Sequence, residues 1–186
     1  MFRLLFPVAF VVGVVICVVG FDKPRPRADF VFVNRGDVFT LDPQRMSWLT
    51  DMQIAYCLYE GLVRWNTEDF SIEPGAAKRF DVSEDRQNYR FFLRKDARWS
   101  NGASVTAYDF RYAWMRLLTP DTSSDYSNFF YTIKGAADFW EWRTGQLKKG
   151  IVSSLQEIER RFNDMVAIDI VDAYTLNITL VKPVPY

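Results

Sequence analysis

The chain has no histidine among its 186 residues. That absence removes Ser-His-Asp triads, histidine-activated cysteines, histidine-ligated zinc and imidazole general bases together. Its two cysteines are too few for a four-cysteine metal site, and one of them, Cys17, lies in an apolar N-terminal run. Net charge is missing as well: 23 Lys+Arg balance 23 Asp+Glu, and the sequence pI is near 6.3. A neutral chain exerts no long-range pull on phosphates, which argues against nucleic acid as a partner. The glycines are scattered and build neither G-x-G-x-x-G nor G-K-[ST], so there is no phosphate-cradling loop. Asp81 to Asp85 lacks the alternation of a calcium loop, and no other metal-ligand spacing occurs. No cofactor is expected. Of the usual catalytic inventory, carboxylates, Lys, Tyr and Ser/Lys pairs remain.

Apolar and aromatic residues are plentiful. Hydrophobic residues make up 49% of the chain, with 6 Trp, 9 Tyr and 16 Phe, far from a disordered composition. Leu4 to Phe21 is an uncharged apolar stretch preceded by Arg3 and followed by the charged, proline-containing spacer Asp22-Lys23-Pro24-Arg25-Pro26-Arg27. As a helix it would span ~27 Å, close to a hydrocarbon core of ~30 Å. The readings are a cleaved secretory signal with Val18-Val19-Gly20 at its end, an uncleaved signal anchor over residues 4–21, a lipid anchor at Cys17, or a buried core helix. A β-branched run at the extreme N-terminus with a charged stop favours export, so the expected location is the periplasm or the cell surface. No second hydrophobic span follows. Cys57 lies in Ile54-Ala55-Tyr56-Cys57-Leu58-Tyr59, an apolar helical face, and is expected to be buried in packing rather than reactive.

Periodicity and turn signals organise the remainder. Phe30–Val33 reads as a buried strand ended by Asn34-Arg35-Gly36-Asp37, and Leu41-Asp42-Pro43 opens an irregular segment. A helix is expected from Thr50 to Val63, capped by Thr50 or Asp51, then a loop from Phe70 to Ala77 containing Glu73-Pro74-Gly75. Phe80–Ser83 and Tyr89–Arg94 read as antiparallel strands around a polar turn. Ser100-Asn101-Gly102 marks a tight turn. Thr106 caps a helix to about Leu118 with Asp109 in a capping-box position and an inward stripe of Phe110, Trp114, Leu117 and Leu118. Further helices are expected at Lys134–Arg143 and Ser153–Phe162, and a hairpin over Val166–Val171 and Thr175–Leu180. An ending in Lys182-Pro183-Val184-Pro185-Tyr186 reads as a strand and connector with more chain to follow, so a fragment of a longer protein is expected.

The candidate chemistry is sparse. Glu84-Asp85, Asp121/Asp125 and Asp164/Asp169 could serve as paired acids in a glycan hydrolase, but solvated loop acids explain them as well. Phe129-Phe130-Tyr131 is a ligand platform or core, and Phe139-Trp140-Glu141-Trp142 is sugar-stacking surface or packing. Nothing here implies turnover, and the chain is not expected to be an enzyme.

Beginning at FVNRGDVFTLDP (32–43), the sequence resembles the extracellular solute-binding proteins of family 5, those of oligopeptide and dipeptide ABC importers. The likeness continues in YEGLVRW (59–65) and IEPGAAKRFDVSED (72–85), is strongest in YRFFLRKDARWSNGASVTAYDFRYAWMRLLTPDTSSDY (89–126), and returns in IKGAADF (133–139) and YTLNITLVKPVPY (174–186). Residues 145–165 depart from it with a longer helical insert. The resemblance implies an α/β, mixed α+β chain of the type II periplasmic-binding-protein class. It is expected to be incomplete, with residues 1–28 as signal or anchor, 29–60 as the start of the first lobe and 61–186 as the extra small domain of large members. Trp99 would end a strand and pack, Asn101-Gly102 would turn, and Thr106 with Asp109 would start the helix.

The implied function is a two-lobed trap that closes over an extended peptide, binds its main chain by strand addition, and docks as a monomer on a membrane permease. Ser47, Trp48 and Leu49 fall where oligopeptide binders line the cleft, although some members carry a carboxylate where Ser47 stands. Tyr126 matches a tyrosine that faces the peptide. The groups that fix the peptide termini are expected beyond residue 186. Nickel complexes, sugars or signalling peptides are alternative ligands for the same fold. A membrane-anchored sensor is a further alternative, and a carboxylate glycan hydrolase is the least favoured.

Overall fold

The computed structural model describes residues 2–21 and 28–184. The spacer 22–27 and the last two residues, on which the expectations about spacer and chain ending rest, lie outside the described residues. The chain divides into two units, Met1–Val33 and Asn34–Tyr186.

In the first unit, α1 covers Phe2–Phe21 and holds Pro7. Among the described residues no helix is long and apolar enough to cross a membrane. Phe30–Val33, expected as a buried strand, is irregular and exposed, with Val33 at 93%. It joins no ladder among the described residues, and β-forming side chains do not hold a strand without a partner.

The second unit contains α2 (Leu49–Leu58), β1 (Val63–Trp65), β2 (Ile72–Pro74), β3 (Ala77–Val82), β4 (Asn88–Leu93), α3 (Ala107–Leu118), α4 (Ala136–Lys148), α5 (Leu155–Met165), β5 (Ile168–Asp172) and β6 (Thr175–Thr179). Both expected hairpins form. In the first, Asp85 accepts the Gln87 N–H at 3.0 Å within the turn; in the second, Asp172 accepts the Tyr174 N–H at 2.7 Å. These local bonds tighten turns whose residue types favour them. The hairpins merge into one antiparallel sheet of order β3-β4-β6-β5, with β6 beside β4. Arg90 and Asn177, partners in that register, also share a 2.8 Å side-chain hydrogen bond.

One face of the sheet carries Phe91, Leu93, Ile168, Leu176 and Ile178 into a core completed by Met115 and Leu118 of α3, Phe139 of α4, and Ile158 and Phe162 of α5. Phe139 and Phe162 meet edge to face, ring centroids 5.2 Å apart, the arrangement that suits two quadrupoles. α3 begins as its sequence predicts: the Asp109 carboxylate accepts the Thr106 N–H at 2.7 Å. α4 starts at Gly135, where φ is +80° and a Cβ would overlap the Met165 carbonyl oxygen, so only glycine lets these two helix ends approach.

Several expectations are corrected. The Phe70–Ala77 loop contains β2, which pairs with β1; Arg64 and Glu73 sit opposite each other in that register and form a 3.3 Å ion pair. Pro74 is tolerated because it closes a short edge strand. Gly75 then turns the chain, and a Cβ there would stand 2.6 Å from the Gly61 carbonyl oxygen. The expected 50–63 helix stops at Leu58, and Trp48 rather than Thr50 or Asp51 occupies the capping position. Asp51 is instead fully buried and accepts the Phe39 N–H at 2.9 Å. Cys57 is exposed, not packed, because it falls on the outward side of α2. Trp99 stays 42% exposed at the Trp99–Gly102 turn instead of packing behind a strand. The fourth helix runs to Lys148, five residues past its expected end, and stops before Gly150, whose φ is +68°.

Candidate functional site

The four residues singled out by resemblance fall on two loops. Ser47 ends an irregular segment, Trp48 caps α2, and Leu49 is its first residue. Tyr126 lies between the short 3-10 turns Pro120–Thr122 and Ser127–Thr132, after Ser123 takes a left-handed turn with φ of 56°. The Tyr126 hydroxyl donates to the Ser47 carbonyl at 3.4 Å, so residues far apart in sequence meet. Ser47 is half-buried. Trp48 and Leu49 are 62% and 59% exposed, and Tyr126 is 37% exposed. Trp48 stacks on Phe39 at 5.8 Å, and Tyr126 leans on exposed Phe129 at 5.8 Å. The result is an open aromatic edge carrying one main-chain carbonyl and no ionised side chain among its four named residues. Phe129 belongs to this edge, while Phe130 and Tyr131 pack against the core, as the core reading of that cluster expects.

Two arginines hold these loops. Arg116, in the last turn of α3, donates to both carboxylate oxygens of Asp42, through Nη1 at 2.6 Å and through Nη2, and to Gln44 Oε1. Arg143 of α4 donates to both oxygens of Asp121, through Nε at 2.8 Å and Nη2 at 2.7 Å, and reaches the Ile151 carbonyl at 3.4 Å. Each arginine holds its aspartate's carboxyl below the ordinary carboxylate range, against an opposing effect of burial. Asp121 is exposed, as its loop position suggested, and is also half of an ion pair with buried Arg143. The irregular segment is further tied where Tyr59 donates its hydroxyl to the Leu41 carbonyl at 2.9 Å, and Met46 beneath it is buried.

Sequence reasoning did not find these ties. Asp42 and Arg116 are 74 positions apart and Asp121 and Arg143 are 22 apart, spacings with no helical or strand periodicity to mark them. An arginine inside a helix whose neighbours are core residues, such as Arg143 beside Trp142, was the one available signal.

Two grooves of about 290 Å³ lie away from this edge. One runs between α3 and α5 past Tyr108, Arg111, Tyr112 and Glu159; the other lies against Trp65, Ile72, Phe80 and Tyr89. No cluster of carboxylates, cysteines or histidines suited to a metal occurs among the described residues.

The chain is similar to known proteins over most of its length. The family described as bacterial extracellular solute-binding proteins, family 5 middle, matches residues 71–186. The periplasmic oligopeptide-binding protein OppA of Escherichia coli is 32% identical over 156 residues, covering 82% of this chain and 25% of that protein. A protein of Escherichia coli named as a probable deoxycholate-binding periplasmic protein is 30% identical over 163 residues, covering 87% of this chain and 27% of that one. Among solved structures, Haemophilus influenzae OppA in complex with the peptide RPPGFSPFR superposes with a TM-score of 0.66 at 30% identity, over 82% of this chain and 27% of that one. The chain thus spans about a quarter of the length of the relatives it matches.

Proposed function

Because the chain belongs to the bacterial extracellular solute-binding proteins of family 5, we propose that it forms part of a receptor that captures extended oligopeptides outside the cytoplasmic membrane and delivers them to the permease of an ABC importer. Residues 29–60 belong to the first lobe and residues 61–186 to an additional small domain. The N-terminal apolar segment directs export. The receptor works as a monomer and binds without turnover.

The observation that carries this reading is the edge at Ser47–Leu49 and Tyr126. It offers apolar and aromatic surface from Trp48, Leu49 and Tyr126 beside a main-chain carbonyl. Such an edge suits a ligand with a repeating polar backbone and varied side chains, since main-chain hydrogen bonds are indifferent to side-chain identity. The absence of a charged group from these four positions fits tolerance of sequence, with water filling whatever space a given side chain leaves. The peptide seated in the similar Haemophilus influenzae protein supports the ligand class. The relative named for deoxycholate favours one second reading, an amphipathic non-peptide solute on the same aromatic edge.

The test uses calorimetry. The chain alone should give no measurable heat with mixed di- to pentapeptides. A chimera in which it replaces the matched quarter of Escherichia coli OppA should bind them, and Tyr126→Ala in that chimera should weaken binding several-fold, by ~1–2 kcal/mol, with folding intact. Unchanged affinity on that substitution removes Tyr126 from the site. Binding of deoxycholate and not peptides by the chimera decides for the second reading.

A further inference from the structure

The two loops that meet at Ser47 and Tyr126 have little structure of their own. Residues 39–47 form no helix or strand, and the 119–126 loop contributes one short 3-10 turn. Between themselves they share the 3.4 Å Tyr126–Ser47 hydrogen bond, too long to set a geometry. Each loop, however, carries an aspartate gripped at both oxygens by an arginine from a core helix: Asp42 by Arg116 and Asp121 by Arg143. A two-point grip by a planar guanidinium fixes the orientation of a carboxylate as well as its distance, which an ammonium cannot do. α3 and α4 bury Leu118 and Phe139 in the same core, so both arginines stand on one frame.

We propose that Arg116 and Arg143 are positioning residues, which set the placement of the Ser47 carbonyl against the Tyr126 ring and keep the ligand-facing edge formed before ligand arrives. The inference rests on the reading of Ser47–Leu49 and Tyr126 as ligand-facing. A preformed edge avoids the ordering cost that two free loops would impose on binding. The two grips expose opposite members: in one the Arg116 side chain is 36% and Asp42 23% exposed, in the other Arg143 is 4% and Asp121 41% exposed.

The test is amide hydrogen exchange on this chain, comparing wild type with Arg116→Lys and Arg143→Lys, which keep charge and lose the two-point grip. In Arg116→Lys, exchange across 39–47, including the Arg45 N–H that donates to the Asp42 carbonyl at 3.0 Å, should quicken by about tenfold while the β4 and β6 amides hold. In Arg143→Lys, the same should occur at Thr122 and Ser123, which donate to the Thr119 and Pro120 carbonyls. Should Arg143→Lys fail to fold, Asp121→Glu moves the carboxylate by one methylene and leaves the arginine in place. Unchanged loop exchange in these variants overturns the inference.

The chimera supplies the second reading. Arg116→Lys should weaken peptide binding several-fold, and restored affinity in a variant with both loops cross-linked would support positioning. Faster loop exchange with unchanged affinity overturns the inference while Tyr126→Ala still weakens binding and leaves the site standing. If Tyr126→Ala has no effect either, the site reading fails and takes the inference with it.

Discussion

α2 and α3 are neighbours in chain order and opposites in burial. α3 presents Asp109 and Arg116 on one side and an apolar stripe on the other, and it buries Ala107, Met115 and Leu118. α2 is apolar nearly all round, yet its one fully buried residue is Asp51, and Leu49, Tyr56 and Leu58 stand 59%, 83% and 57% exposed. Apolar composition by itself thus does not bury a helix. α3 is buried because the sheet and two other helices stand opposite its stripe, and the stripe is narrow enough to be covered. α2 is held by single bonds at its edges, such as Asp51 to Phe39 and Tyr59 to Leu41. The same division separates the rigid body of sheet and helices from the loops that form the candidate site.

That comparison can be broken or sharpened by substitution. Leu118→Ala in α3 should cost ~2–5 kcal/mol in urea unfolding, since the site is fully buried on a packed frame; a cost near zero would dissolve the contrast with α2. Gly135→Ala should rival it: the positive φ alone costs about 1–3 kcal/mol, and the overlap with the Met165 carbonyl adds to it by forcing the α4 and α5 ends apart, read as a fall in Tm.

The Asp121 grip is best read through pH. The Arg143 guanidinium holds the folded carboxyl below its unfolded value of 3.8. Its stabilisation is therefore complete above that value and is lost as pH falls toward the lower folded value. Asp121→Asn should lower Tm at pH 6 and flatten the acid limb, with the two melting curves converging at the lowest pH. Parallel curves at all pH would assign the grip no part in stability. Smallest of all, Leu58→Ala on the exposed side of α2 should stay within about 0.5 kcal/mol of wild type. A loss comparable to that of Leu118→Ala would mean that α2 is covered in solution.

The body was legible in advance where signals are short-range. The Thr106–Asp109 start of α3, the stripe ending at Leu118, the amphipathic α5 and the two hairpins all rest on residues a few positions apart, although of the α5 stripe Leu155, Ile158 and Phe162 the first stays 58% exposed. The β1–β2 pair was not legible, since three-residue strands leave no period to count and Pro74-Gly75 reads as a breaker. The edge at Ser47–Leu49 and Tyr126 came from resemblance rather than from residue chemistry. Its members are ordinary polar and apolar types, and nothing local connects them.

Local sequence therefore determined α3, α5 and the two hairpins, because caps, turns and amphipathic periods act within one or two turns of chain. It also determined the exclusions, since a chain without histidine has no imidazole chemistry wherever it folds. Only the tertiary structure decided that β6 lies beside β4, that Arg116 takes Asp42 and Arg143 takes Asp121, and that Phe30–Val33 and α2 remain exposed. Those outcomes depend on which surfaces the packed core brings within a few ångströms and how far water is excluded between them, and separation along the chain encodes neither.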